Sequence, residues 1–153
     1  MREFDYYIFI DYFENFIGYN IIEKGKIRAL LPKLSRFKHY NNAENKKLYL
    51  KNIKKTIKRE NIRSYFYKIK ILRTSKKMQI YLDVLEFLKK HLNCIVFISV
   101  DNNEYDNFEK LVEIVNNEKT KVVKESSLKK GTFEYQLSLI IDNLLNIERI
   151  KSK

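Results

Sequence analysis

Apolar residues fall in short blocks at the start of the chain and at three- and four-residue spacing later on. Residues 6–11, Tyr-Tyr-Ile-Phe-Ile-Asp, are aromatic and β-branched, which predicts a strand buried at its centre and closed by Asp11. Tyr12 to Asn15 is polar enough for a turn or a strand edge, and Phe16 to Glu23 predicts a second strand. Lys24-Gly25 has the chemistry of a hairpin turn, and Lys26 to Leu31 continues as a third strand ended by Pro32. Turns this short imply an antiparallel meander.

From Asn42 the period changes. Leu50, Ile53 and Ile57 recur at helical spacing among Lys46, Lys47, Lys51, Lys54, Lys55 and Lys58. Residues 63–72 alternate as a strand, with Tyr65, Tyr67, Ile69 and Ile71 on one face. Ser75 can cap a helix to about His91 with a stripe of Met78, Tyr81, Leu82, Leu85, Leu88 and Leu92. Cys94 to Val100 is the most strand-like run of the chain, and Asp101 ends it. Tyr105 to Asn116 predicts a helix with Phe108, Leu111, Val112 and Val115 inward, and Lys121 to Lys124 a last strand. Thr132 to about Ile150 predicts the final helix, its stripe formed by Leu137, Ile140, Ile141, Leu144 and Leu145. The order βββ-α-β-α-β-α-β-α implies an α/β domain with a mixed sheet, antiparallel first and parallel later, flanked by helices. Residues 1–150 form one domain on this reading, and 151–153 a basic C-terminal tail that frays.

Composition adds a partner class. The 153 residues carry 31 Lys plus Arg against 19 Asp plus Glu, a net charge of +12, while only 3 Gly and 1 Pro argue against a hidden flexible region. Polyanions are the natural partners of such a chain. Nucleic acid is the commonest of them, and an anionic membrane surface is the competing class. No apolar run approaches the roughly 18 residues needed to cross a membrane. The N-terminus, with acids in its first strand region, is unlike a signal peptide, so a cytoplasmic location is expected. Cys94 is the single cysteine and sits in an apolar run, which predicts a buried hydrophobe and excludes an intrachain disulfide. His39 and His91 are far apart and lack a cysteine pattern, so surface or helix-end roles are expected for both.

Three carboxylates carry the candidate chemistry. Ligands of open α/β sheets collect beyond the carboxyl ends of the strands. Asp11 and Asp101 each end an apolar strand, and parallel neighbours about 4.8 Å apart would let the two share one cation. Asp142 borders the stripe of the last helix and can reach the same edge, with Glu134 and Ser138 on its row. Glu14 and Glu134 are possible additional acids. Oxygen ligands select hard cations, here Mg²⁺ or Mn²⁺, and paired ions about 3.5–4 Å apart activate water against a phosphodiester. Each acid also has a plainer explanation; Asp101-Asn102-Asn103 suits a helix cap or a turn. Lys47, Lys51, Lys54 and Lys58 are the candidate nucleic-acid contacts, with a solvated helix face as the alternative.

The strand Tyr7-Ile8-Phe9-Ile10-Asp11, the run Ile95 to Asp101 and the helix segment Ile140-Ile141-Asp142-Asn143-Leu144-Leu145 together resemble the domain-of-unknown-function 3800 family, which has the ribonuclease H-like fold. That family opens with a strand ending Asp-Glu-Ser-Gly. Here Asp11 is followed by Tyr12, Phe13 and Glu14, and residues 67–72 lack the acid that the family carries on the strand before its long helix. The resemblance implies a ribonuclease H-like domain over nearly the whole chain and a metal-dependent nuclease acting on DNA or RNA, with Asp11, Asp101 and Asp142 as catalytic metal ligands. The shortened motif favours the alternative, a non-catalytic nucleic-acid-binding or scaffold domain on the same fold. Oligomeric state is not legible in the sequence.

Overall fold

The computed structural model describes residues 3–116 and 120–152. Strand β1 (Tyr6–Phe13) and strand β2 (Phe16–Glu23) form a hairpin whose turn holds Glu14 in the left-handed region at φ 52°. Helix α1 (Lys24–Leu30), two short 3₁₀ turns and helix α2 (Lys46–Arg59) follow, before strand β3 (Lys68–Arg73). Helix α3 (Lys77–Lys90), strand β4 (Cys94–Ile98), helix α4 (Asn102–Asn116), strand β5 (Thr120–Lys124) and helix α5 (Phe133–Lys151) complete the order. The five strands lie in the order β3-β2-β1-β4-β5. β1 pairs antiparallel with β2, and β2 with β3; β1 pairs parallel with β4, and β4 with β5.

The apolar strand that carries Asp11 continues to Phe13 rather than closing at Asp11, and it does run parallel beside the apolar strand from Cys94, as two runs buried on both faces should. The pleat sends alternate residues of β1 to two cores. Tyr7 and Phe9 face α5, α2 and α1, among Leu137, Ile141 and Ile53. Ile8 and Ile10 face α3 and α4, among Ile80, Val84 and Phe108. Phe9 also stacks on Phe97 of β4 with ring centroids 5.1 Å apart, a cross-strand pair that fixes the β1–β4 register. Cys94 is buried as expected, and burial pushes its thiol pKa up to about 12.

Several elements differ from the sequence reading. Lys24 to Leu30 is a helix, not a turn and a strand. Ile27, Leu30, Leu31 and Leu34 have the i, i+3, i+4, i+7 spacing of a helical face, and Ile27, Leu30 and Leu34 bury it. The free edge of β2 is instead taken by Lys68–Arg73, so the antiparallel trio exists with its third member supplied later in the chain. That strand starts later than residue 63, because Ile62–Tyr65 form a 3₁₀ turn. The buried face of α3 shares half of the expected stripe and is shifted toward a second apolar row. Tyr81, Leu85 and Leu88 are buried as expected, Ile80, Val84 and Phe87 are buried beside them, and Met78, Leu82 and, beyond the helix, Leu92 are exposed. On α4, Leu111 is likewise exposed. α5 takes in Lys151 and is capped by Ser152, so of the expected basic tail only Lys153 lies beyond it, outside the described residues. Among the described residues no helix is long and apolar enough to cross a membrane.

Gly18 marks the tightest approach in this arrangement. A Cβ there would stand 2.8 Å from Ile71 Cγ1, 2.9 Å from the Lys70 carbonyl oxygen and 3.3 Å from Ile141 Cδ1. A backbone oxygen cannot step aside without disturbing the β2–β3 ladder. Gly18→Ala is expected to destabilise the fold by roughly 1–3 kcal/mol, the range for forced overpacking, read as a lower urea midpoint. A variant as stable as the parent would show that β3 is not held this close.

Candidate active site at the carboxyl edge of the sheet

The register of the parallel strands sets up a row. Ile10 pairs with Ile98, so the next residues, Asp11 and Ser99, stand side by side, and the Ser99 N–H donates to the Ile10 carbonyl at 2.9 Å. Ile98 pairs with Lys124, which places Glu125 beside Ser99. On the other side Asp11 pairs with Gly18. Asp11 shares the pleat face of Tyr7 and Phe9, under α5. That helix runs in the same direction as β1: Phe133 packs on Tyr7 (centroids 5.6 Å apart), and Arg149 lies over Phe13. Asp142 lies between these points, on the buried side of α5.

Asp11 and Asp142 are both buried, and Glu125 is half-buried. Burial, then the negative charges of Glu125 and Asp142, hold the Asp11 carboxyl well above the usual carboxylate range; the Tyr12 N–H (2.8 Å) and the Ser99 hydroxyl pull it partly back. Burial pushes Glu125 up to about 7, with Ser99 opposing and Asp142 adding to the rise. Asp142 is raised by burial, against the Tyr40 N–H, which donates to its Oδ2 at 2.8 Å, and the His39 imidazole, 3.4 Å from its Oδ1. Three acids thus sit within electrostatic reach of one another.

At the rim, the Arg149 guanidinium lies 4.9 Å from the Phe13 ring centre and 5.6 Å from that of Tyr40, with its Nε 3.9 Å from Glu14 Oε2. Glu14 is thus exposed at the same edge but engaged with Arg149. Glu134, in the first turn of α5, is at the other end: its charge bears on Tyr7, eight residues and about 12 Å of helix from Asp142.

Asp101 stands apart from these three acids. Its Oδ1 accepts the Glu104 N–H at 2.9 Å, capping α4, and its charge bears on Lys77 and Tyr81 on the α3–α4 side of the sheet. The structure therefore brings Asp11 and Asp142 together and adds Glu125, with Asp101 turned away. β4 stops at Ile98, so the residue level with Asp11 is Ser99, two positions before Asp101. Glu125 is the first residue after the last strand, but no long apolar run leads into it as one does into Asp11, so the sequence carries only a weak signal for it. His39 was expected at the surface. It does lie partly exposed, capping a 3₁₀ turn, but it also holds Asp142. Lys47, Lys51, Lys54 and Lys58 are exposed along α2.

The donor set is all oxygen, the chemistry of a hard cation site. Among the described residues, however, no three His, Cys, Asp or Glu side chains stand close enough together to hold a metal ion. Asp142, with both oxygens engaged by Tyr40 and His39, is turned toward the protein.

The fold is similar to that of the ribonuclease H2 from Pyrococcus horikoshii OT3, with a TM-score of 0.51 and 13% sequence identity over 97% of this chain and 76% of that one. A second solved structure, the PCNA:RNase HII complex from Archaeoglobus fulgidus, aligns over 95% of this chain and 73% of that chain, with 14% identity and a TM-score of 0.49. No protein-family model matches the sequence, and no curated protein does. The first likeness, with the strand order, makes this a ribonuclease H-like fold, a five-stranded mixed sheet flanked by helices. At this identity it speaks for the fold alone.

The raised acids have a thermodynamic consequence. In the unfolded chain they lose their protons near pH 4, whereas in the folded protein they keep them to higher pH, to about 7 for Glu125. The folded state binds more protons across that window, so these groups stabilise the fold below about pH 4 and that contribution is lost as pH rises toward 7. Asp11→Asn should raise the melting temperature at pH 7.5 and leave it little changed at pH 4.5. Melts of parent and variant that stay parallel across this range would show that Asp11 ionises freely.

Proposed function

We propose that this protein is a divalent-metal-dependent phosphodiesterase acting on DNA or RNA. The observation that carries the proposal is the set of three carboxylates, Asp11, Glu125 and Asp142, gathered at the carboxyl edge of a ribonuclease H-like sheet. Each is held above its ordinary pKa, and among the described residues none has a Lys or Arg ion-pair partner. Crowded acids of this kind disfavour their own ionisation until a cation offsets them. Asp11 and Glu125 would be the pair to hold Mg²⁺ or Mn²⁺, while Asp142, held by Tyr40 and His39, would add its negative charge from beside them. When bound, such an ion supplies Lewis-acid stabilisation of a phosphoryl group and lowers the pKa of a water. Ser99 stands between Asp11 and Glu125 and orients both carboxylates, and Arg149 at the rim is placed to meet a phosphate. Asp101 caps α4 on this reading, and Glu125 fills the place first expected for it.

The lysines of α2 supply the affinity for nucleic acid. Lys and Arg make up half of its 14 residues, and it has no acid. Among the described residues Lys47, Lys51, Lys54 and Lys58 make no ion pair, although pairs four apart repel along a helix. That uncompensated repulsion suits a polyanion partner.

A second reading, a nucleic-acid-binding domain without catalysis, is favoured by one observation: Asp142 is already held by Tyr40 and His39. The two readings separate in a paired experiment. With Mn²⁺ or Mg²⁺, the parent protein is expected to cleave at least one of single- or double-stranded DNA, RNA or their hybrid, and to melt at a higher temperature. Asp11→Asn should lose both effects, while Asp101→Asn, which keeps a capping oxygen, should retain them. Tight binding without cleavage or a metal-dependent shift would leave the second reading standing and remove the first. In a binding titration, replacing Lys47, Lys51, Lys54 and Lys58 with Gln is expected to lower affinity for any sequence and to reduce the salt slope by about 3. An unchanged slope would return these lysines to a solvated helix face.

A further inference from the structure

Helices α2 and α5 leave a trough between them on the face above the acid row. One section, of about 560 Å³, has Leu50, Ile147 and Ile150 along it and Lys46, Lys47 and Lys51 at its sides. A second section, of about 330 Å³, continues it past Ile57 and Leu144 toward Lys58 and Arg63, and the two share Lys54, Ile147 and Lys151. Glu148 is the one acid lining either section. The trough begins at Tyr40, whose backbone N–H holds Asp142, whose hydroxyl meets Arg149 at 3.4 Å and whose ring lies 5.9 Å from Lys46 Nζ. Ile150, at the margin, leaves 43% of its surface exposed.

The lining combines an aliphatic floor with cationic rims. A duplex presents phosphates but keeps its base faces stacked inside, so an aliphatic floor offers it nothing. A single strand presents both chemistries on one ligand, phosphates for the lysines and unstacked base faces for Leu50, Ile147 and Ile150. We propose that the trough between α2 and α5 binds a single nucleic-acid strand, with bases on the aliphatic floor, phosphates along the lysine rims and one end led past Tyr40 toward the acid row. This rests on the reading of the protein as one that acts on nucleic acid, and it names the form of the ligand.

The test is fluorescence anisotropy, without metal, on a labelled single-stranded oligonucleotide and on the duplex of the same sequence, with polyglutamate as competitor. The single strand is expected to bind at least tenfold more tightly than the duplex. Ile150→Gln should weaken single-strand binding about fivefold, the size expected for one partly exposed aliphatic side chain, and leave duplex binding unchanged. Ile150→Phe, which keeps an apolar face, should bind the single strand at least as tightly as the parent, and melting curves of both variants verify that they fold. Equal affinity for strand and duplex, no effect of Ile150→Gln on single-strand binding, or displacement by polyglutamate at matched charge would each overturn the trough assignment. If duplex binds tightly and single strand does not, the assignment falls while the nucleic-acid reading stands. Absence of binding to either form overturns both.

Discussion

Strand β1 is hydrogen-bonded along both edges and covered on both faces, and the rest of the molecule is arranged around that constraint. Its antiparallel edge takes β2, its parallel edge takes β4, and its two faces are closed by α5 and by the α3–α4 pair. A carboxylate near the end of such a strand has little water to turn to. Among the described residues Asp11 is answered by the next backbone N–H and a neighbouring serine, while other acids crowd it. The same edge carries its own restraints: Tyr40 and His39 fix Asp142, and Arg149 lies across two aromatic rings at the rim. Cationic and anionic groups are thus sorted onto different levels of one end of the fold.

Much of this architecture was legible because the signals were long or unambiguous. The apolar run of β1, the run from Cys94 and the helical stripe of α5 specify their elements by periodicity alone, and the parallel pairing of β1 and β4 follows from both being buried on two faces. Lys24 to Leu30 was misread because a Lys-Gly step after a strand looks like a hairpin turn. The deciding signal, Ile27-Leu30-Leu31-Leu34, extends across Pro32, which sits at the start of a 3₁₀ turn rather than ending a strand. The face of α3 was legible only in part: Tyr81, Leu85 and Leu88 are buried, but Met78 and Leu82 are apolar yet exposed, and hydrophobicity alone does not say which of two apolar rows is covered.

The site was half legible for a related reason. Asp11 stood out because an apolar strand led into it, and Asp142 because it bordered a buried stripe. Glu125 follows a short strand, Thr-Lys-Val-Val-Lys, that has no fully buried residue and gives little hint that its end is enclosed. Asp101 was favoured because the apolar run appeared to extend to Val100. Strand pairing ends at Ile98, and this difference of two residues decides whether an acid joins the row or caps a helix. Such a difference is set by tertiary register, which no local pattern encodes.

The order of pairing along the chain has a consequence for how the molecule assembles. Only two pieces of the sheet are local in sequence: the β1–β2 hairpin, and the β4–α4–β5 crossover unit. β3 rejoins β2 only after the excursion from Lys24 to Tyr67, and β1 meets β4 across a still longer loop, closures that slow folding. Asp11 arrives with the hairpin, Ser99 and Glu125 with the crossover unit, and Asp142 with the last helix. The acid row therefore belongs to neither half of the chain. It exists only where the seam between β1 and β4 is closed and α5 lies over it, so the raised proton affinity of these carboxylates reports that closed state.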